Sequence, residues 1–312
     1  MYTHKIGSTH MSLVVVGSIA LDTVITPTGR RENAVGGSAT FFSLAAERLT
    51  RVMMVGVVGE DFPPSAITEF RKRNIDLKGL EIRKGKTFRW GGIYRENMKE
   101  RDTLFTELNV FKDFSPDLPA DYRKSDFLFL GNIHPALQLR VLDQMEGKPL
   151  VGLDTMNLWI STCRDQLIEA VSRSHVIIIN DEEIIQLTGK TAIPEAVKTV
   201  HDLGPGTVIV KKGKFGAGIY FRDEKIEYPI CPEKQLIDPT GAGDAFAGGF
   251  MGYLAGRNTL ELSYDDYYEA MNYGTVMASY LVESFSTDTL AAVTKEQIER
   301  RIEAYRRICI PG

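Results

Sequence analysis

The chain has 312 residues, 43% of them hydrophobic and 25% charged, enough to bury one large core. A net charge of −4 gives no electrostatic footing for general nucleic-acid binding, and the five histidines show no metal-ligand spacing. Cys163, Cys231 and Cys309 stand far apart with no CxxC pair, which suits a reducing cytoplasm, and no apolar run is long enough to span a bilayer; neither nucleic acid nor membrane is an expected partner.

Residues 1–11, polar up to a second methionine at Met11, read as a tag or an unstructured leader, leaving 12–312 for the fold. Leu13-Val14-Val15-Val16 predicts a buried strand, and Asp22 falls just past its C-terminal end, where open α/β sheets bind ligands. Thr23 to Asn33, with the turn Pro27-Thr28-Gly29, predicts a hairpin. Gly36-Gly37-Ser38 then opens a helix whose Ala39, Phe41, Phe42, Leu44, Ala45 and Leu49 are spaced for burial. Val52 to Val58 is a second buried strand, and Pro63-Pro64 starts a helix to about Arg73. Residues 82–111 change character. Two aromatic-rich strands, near 87–94 and 103–108, flank a charged turn, Glu96 to Asp102. With 23–35 they predict a small sheet standing apart from the main one, whose exposed aromatics suit either a lid or a homodimer contact.

From Asp126 strands and helices alternate regularly: a strand at 127–130, a helix from about Ala136 to Met145, a strand at 150–153, a helix to Val171 and a strand at 176–179. Asn132, Asp154, Asn157 and Asn180 fall at strand C-terminal ends, as on a ligand-binding rim. His134, beside Pro135, has no nucleophile near it in sequence and reads as a rim residue. Asn180 and Glu183 have the spacing of a capping box. Val208 to Lys211 and Gly216 to Phe221 read as strands joined through Gly213. Tyr268 to Leu281 and Ala292 to Arg306 are further helices, the second with Thr294 as cap. No internal repeat or linker divides the chain.

One stretch stands out: Ile237-Asp238-Pro239-Thr240-Gly241-Ala242-Gly243-Asp244, running into Phe246, Phe250, Tyr253 and Leu254 at helical spacing. A Gly-Ala-Gly loop opening a helix leaves backbone N–H groups free for an anion, and Asp244 sits at that positive end. Read as D-P-x-G-A-G-D, the segment closely resembles the second signature of the ribokinase (PfkB-type) family of sugar and nucleoside kinases. The resemblance spans roughly residues 12 to 310, with motifs in family order. It implies a ribokinase-like three-layer α/β/α fold with a mostly parallel central sheet and a small β-sheet lid. It also implies an ATP-dependent phosphotransferase in which Asp244 is the catalytic base and Gly241, Ala242 and Gly243 form the anion hole. By the same resemblance Asp22, Gly36, Gly37, Ser38, Phe41 and Asn132 face the acceptor. Asn180, Lys211 or its neighbour Lys212, Gly213, Gly216 and Asn272, with Ser279, face the nucleotide. Glu183 orients a water on Mg²⁺, and Asp238 and Thr240 hold K⁺ or Na⁺ beside residues 282–287.

Ser38, Phe41 and Ala20 stand where ribokinases carry Lys and Asn, so this chain lacks the polar set used for ribose. A small sugar is the first expected acceptor. A nucleoside, stacked on Phe41, Phe88 or Trp90, is the second, and a non-catalytic sugar- or nucleotide-binding regulator is the third. Other phosphate motifs fail: Gly85-Lys86-Thr87 and Gly189-Lys190-Thr191 lack the earlier Walker glycine, Leu80 and Ile184 standing in its place. No GxGxxG follows the first strand.

Overall fold

The computed structural model describes residues 11–309. Residues 1–10 of the expected leader lie outside the described residues; Met11 lies within them and donates its backbone N–H to Asn258 Oδ1 at 3.0 Å.

The chain opens with β1 (Ser12–Val16), then the hairpin β2 (Ala20–Thr26) and β3 (Gly29–Gly36), and enters α1 (Ser38–Ala46). β4 (Arg51–Gly59), α2 (Pro64–Lys72) and β5 (Ile75–Arg83) follow, then a second hairpin, β6 (Phe88–Tyr94) and β7 (Arg101–Glu107). Next come β8 (Phe127–Leu130), α3 (Pro135–Gln144), β9 (Leu150–Asp154), α4 (Asn157–Thr162), α5 (Arg164–Ser172) and β10 (Val176–Asn180). The alternation continues through α6 (Asp181–Thr188), α7 (Ile193–Leu203) and β11 (Thr207–Lys211). A third hairpin, β12 (Ala217–Tyr220) and β13 (Lys225–Tyr228), precedes α8 (Ala242–Gly256), α9 (Tyr264–Leu281), α10 (Asp288–Ala292) and α11 (Lys295–Cys309).

The main sheet has the order β13-β12-β11-β10-β9-β8-β1-β4-β5 and is parallel except for its β12–β13 edge. Its central strands are buried on both faces, which is why they read as unbroken apolar runs. Alternate residues feed two cores. Leu13, Val15, Phe127, Phe129 and Ile178 face α1, α8 and α9, while Val14, Val16, Leu128, Leu130 and Ile179 face the layer from α3 to α7. Strand order reverses at β1, between β8 and β4, and a crevice at the C-terminal ends of the strands is expected there. Helix α8 is wedged between α1 and α9. A Cβ built on Gly248 would overlap Phe42 O, and one on Gly249 would lie 2.7 Å from Tyr273 O, so glycine sets how closely these backbones approach.

The lid is a separate four-stranded sheet of order β3-β2-β6-β7. Strands β2 and β3 extend just beyond the expected 23–35, while β6 and β7 lie inside the expected 82–111, whose residues 82 and 83 close β5 of the main sheet. Strands β5 and β13 and helix α7 had no counterpart in the sequence reading. β5 lies at the sheet edge and is mostly half-exposed, so it carries no clean apolar run. The helix expected up to Val171 is two helices that break at Cys163. Helix α10 also had no counterpart, and the last helix starts at Lys295 behind the expected cap: Thr294 Oγ1 accepts from Gln297 N–H, and Thr294 N–H donates to Gln297 Oε1. Helix α9 starts at Tyr264, earlier than expected, behind a Ser263–Asp266 capping box. Among the described residues, no helix is long and apolar enough to cross a membrane.

Candidate active site

The crevice at the switch point is built first from the end of β1. Ser18 and Ser38 bind each other reciprocally: Ser18 N–H donates to Ser38 Oγ at 3.0 Å, and Ser38 N–H to Ser18 Oγ at 3.1 Å. Ser38 is thereby spent holding the start of α1 against the strand end. Asp22 lies on β2 and is nearly sealed, with 6% exposure. A Cβ on Gly36 would overlap its Oδ2, so only glycine lets β3 pass it. Phe41 is 2% exposed, and its ring lies against Gly36 on one side and Gly241 on the other. It is a wall joining the acceptor half of the crevice to the loop before α8.

That loop delivers Asp244. Gly241 has φ +81, the left-handed region that favours glycine, and turns the chain into α8 beneath the Phe41 ring. Ala242 N–H donates to Pro239 O at 3.1 Å, whereas the N–H groups of Gly243 and Asp244 have no protein acceptor outside the Asp244 carboxylate among the described residues. Gly241 N–H likewise has no protein acceptor among the described residues, so of the expected Gly241–Gly243 set only Ala242 is engaged. Lys211, at the end of β11, brings its Nζ beside Gly243, 2.8 Å from where a Cβ would stand. The same ammonium lies 3.5 Å from Asp154 Oδ1 at the end of β9. Gln138, wholly buried on α3, ties the floor together by donating from Nε2 to Gly131 O at 3.0 Å and Asp154 O at 3.1 Å.

These groups share one electrostatic field. Burial pushes the Asp244 carboxyl up to about 7, and the Asp154 charge adds to it while Lys211 and Arg101 oppose it. Burial, then the charges of Asp238 and Asp244, push Asp22 up to about 8. Burial likewise raises Glu183 to about 7 and holds Asp154 above the usual carboxylate range. Burial alone would lower Lys211, yet Asp154, Glu183 and Asp244 around it keep it above its ordinary value. Carboxylates poised near neutrality, an ammonium and open N–H groups at a helix start can take a proton from an alcohol and neutralise a phosphoryl group.

Comparison with known proteins decides the family: residues 4–294 match the pfkB family carbohydrate kinase profile. The chain belongs to the pfkB family of carbohydrate kinases. A cytidine kinase of Thermococcus kodakarensis is 32% identical over 79% of this chain and 90% of its own length. A nucleoside kinase of Methanothermobacter thermautotrophicus is 27% identical over 92% of this chain and 94% of its own. The crystal structure of the Methanocaldococcus jannaschii nucleoside kinase, described as an archaeal member of the ribokinase family, superposes with a TM-score of 0.75. It covers 96% of this chain and 100% of that one at 20% identity, a likeness that bears on the fold.

In this pfkB kinase the remaining expected residues are placed as follows. Asn180 caps α6: its Oδ1 accepts from Glu183 N–H at 2.7 Å, and Glu183 Oε2 accepts from Asn180 N–H at 3.0 Å. The capping box thus holds Glu183 close enough for its charge to act on Lys211. Of the two lysines, Lys211 turns to the crevice, whereas Lys212 pairs with Glu227 and lies over Tyr220. Gly213 and Gly216 both have positive φ and shape the turn from β11 to β12. Asn132 Oδ1 accepts from Trp159 Nε1 at 2.9 Å. His134 does meet a nucleophile, with Cys163 Sγ 3.3 Å from its Nε2, because the break before α5 returns the chain to the start of α3. Asn272 donates to Glu269 at 2.9 Å, and Ser279 Oγ accepts from Arg301 at 3.0 Å, so both side chains join an ion network with α11. Asp238 accepts from Thr240 N–H at 2.9 Å and from Ser286 N–H at 3.4 Å. Thr240 Oγ1 donates to Tyr94 Oη at 3.1 Å. Phe88 packs on Phe111 with ring centres 5.5 Å apart and is no free platform, and the Trp90 ring carries the Arg101 guanidinium 5.1 Å from its centroid.

Asp154 was read only as one strand-end group among several. Gln138 and Arg101 were not singled out at all. The pairing of Asp154 with Lys211 joins two separate crossovers, and no local spacing encodes it.

Proposed function

We propose that this kinase transfers the γ-phosphoryl group of ATP to the CH₂OH of a nucleoside, a reading that moves the nucleoside ahead of the free sugar. One observation carries it. Asp22 on β2 is in register with Trp90 on β6, so a carboxylate suited to sugar hydroxyls and an indole face stand side by side on one lid face. The polar groups of a ribose site are missing below them, since Ser38 is bound to Ser18 and Phe41 is apolar. The cytidine kinase and nucleoside kinase relatives support the same acceptor class.

In this reading Asp22 and the Gly36-Gly37 turn orient the sugar, and Trp90 stacks the base. Asp244 takes the proton of the attacking alcohol. The open N–H groups at the start of α8 and the Lys211 ammonium meet the phosphoryl oxygens. Asn132, Gly213, Gly216 and Asn272 border the two ligands. Among the described residues, no group of three or more His, Cys, Asp or Glu side chains could hold a metal directly. Buried Glu183, raised toward neutrality, nonetheless fits a divalent ion held mainly by phosphates and water, and Mg²⁺ would supply charge neutralisation there. Each Asp238 oxygen accepts one N–H and Thr240 Oγ1 donates to Tyr94, which leaves oxygen lone pairs on both side chains that fit K⁺ or Na⁺. The outer lid, with Leu104 and Phe105 exposed, is the surface for a homodimer, and sedimentation equilibrium checks it.

The test is an acceptor panel of pyrimidine and purine nucleosides, ribose and fructose with ATP and Mg²⁺. Nucleosides should exceed free sugars in kcat/KM. Trp90→Ala should lower kcat/KM for the best nucleoside by roughly 10- to 100-fold, the worth of one stacked base, beyond any loss it causes on ribose. Preference for a free sugar, or an equal loss on both, would overturn the nucleoside assignment.

A further inference from the structure

The lid strands and the turn between β6 and β7 carry six cations. Five have carboxylate partners: Arg30 with Glu32, Arg31 with Asp288, Arg89 with Asp61, Arg95 with Asp102, and Lys99 with Glu182. Arg101 has none among the described residues. Its guanidinium lies over the Trp90 ring, 5.1 Å from the centroid.

Two anchors show where Arg101 hangs. It is the cross-strand partner of Tyr94, so both project from one face of the lid. Tyr94 is buried, and its hydroxyl accepts from Thr240, the residue before the Gly241 turn, so that face looks onto the start of α8. On the other side Lys99, two residues away, reaches across to Glu182 in the first turn of α6 at 2.9 Å. Arg101 is thus slung between the acceptor carboxylate, the base and the nucleotide-side Glu183. In keeping with that position, its positive charge lowers the carboxyls of Asp22, Glu183 and Asp244 alike.

We propose that Arg101 is a further catalytic residue of this kinase, a lid-borne cation that meets the transferring phosphoryl group from the side opposite Lys211. The inference rests on the phosphotransfer reading given above. In the step, the acceptor oxygen bonds to the γ-phosphorus and gives its proton to Asp244. The bond from phosphorus to the β–γ bridging oxygen breaks, and ADP leaves with the electron pair. Arg101 moves no proton; it donates hydrogen bonds to the phosphoryl oxygens while charge is spread over them. A planar, always-charged fork suits that task, and stacking on Trp90 keeps it extended before substrates arrive. The lid then completes the site only when it is down, so phosphoryl transfer to water is disfavoured while the acceptor is absent.

The experiment compares wild type, Arg101→Ala and Arg101→Lys on the best acceptor, with thermal midpoints measured to confirm folding. Arg101→Ala should lower kcat at least about 100-fold while acceptor KM changes less than about threefold. Added guanidinium ion should restore part of the lost rate to Arg101→Ala. Wild type should also bind ADP more tightly with aluminium fluoride than without it, and Arg101→Ala should lose that gain. A variant that keeps kcat within about threefold, or keeps the aluminium fluoride gain, overturns the role of Arg101 and leaves the kinase reading intact. Wild type that turns over no acceptor and shows no aluminium fluoride gain overturns both.

Discussion

Asp22→Asn should stabilise this kinase while disabling it, and the gain should grow with pH in a defined window. Asp22 is 6% exposed, and burial together with the charges of Asp238 and Asp244 raises its carboxyl from 3.8 to about 8. An acid whose folded pKa lies above its unfolded one is neutral for folding while protonated in both states and costs stability once the unfolded chain ionises. Below about pH 3.8 the native and unfolded chains hold the same proton and the carboxyl costs nothing. Between there and about 8 the unfolded chain ionises freely and the native chain does not, so stability falls by up to about 1.4 kcal/mol per pH unit. The ceiling at neutral pH is about 4 kcal/mol. Water reaching the crevice relieves part of it, so about 2 kcal/mol is expected. Asparagine has the same shape and never ionises, so the variant escapes this loss. Urea unfolding of both proteins at pH 5, 6.5 and 8 measures it, with equal m-values as the condition for comparison. The stability gap should widen from pH 5 to 8 as nucleoside turnover collapses. A gap constant to within about 0.5 kcal/mol, or a variant less stable at pH 8, would refute the burial argument.

The other expectations use the same site. Asp244→Asn should lower kcat by roughly 10²–10⁴-fold with the fold retained on circular dichroism. In the wild type, kcat/KM should rise with pH and level off above about 7, because a base raised to about 7 by burial works only once it has lost its proton. A flat profile from pH 5.5 to 8.5 would remove Asp244 from that role. Gly241→Ala should cost about 2 kcal/mol or more and abolish turnover, since φ +81 is unfavourable for an L-residue and the new Cβ would overlap the sealed Phe41 ring. Unchanged unfolding midpoints would contradict this.

How legible the molecule was follows the distance over which each feature is encoded. The loop from Asp238 to Asp244 was readable because its small residues, its turn and its buried helix are contiguous, so the chemistry and the local fold share one stretch. The central strands were readable for a similar reason: burial on both faces leaves apolar runs with no polar interruption. Strand β5 escaped because an edge strand buries too little to show a period. The helix break at Cys163 escaped because no Gly or Pro marks it, and α5 resumes one residue later.

The lid shows most sharply where pattern stops and topology begins. Phe88 and Trp90 are two residues apart on one strand, and a period of two places both on the same face. Only the turn at Asn109–Asp113, further along the chain, covers Phe88, whereas Trp90 meets the Arg101 guanidinium instead. Arg101 poses the same problem with charge. It sits in a run from Arg95 to Asp102 in which cations and carboxylates alternate, and in sequence every one of them has a candidate partner. Antiparallel pairing then matches Arg95 with Asp102 and sends Lys99 across to Glu182, leaving one guanidinium over the crevice. That cation lowers three raised carboxyls, and under the proposal above it also meets the phosphoryl group in transit. In the proposed reading, then, the contiguous loop supplies a reaction open to many alcohols, whereas the lid, assembled from register and charge pairing, would select the alcohol and close the site.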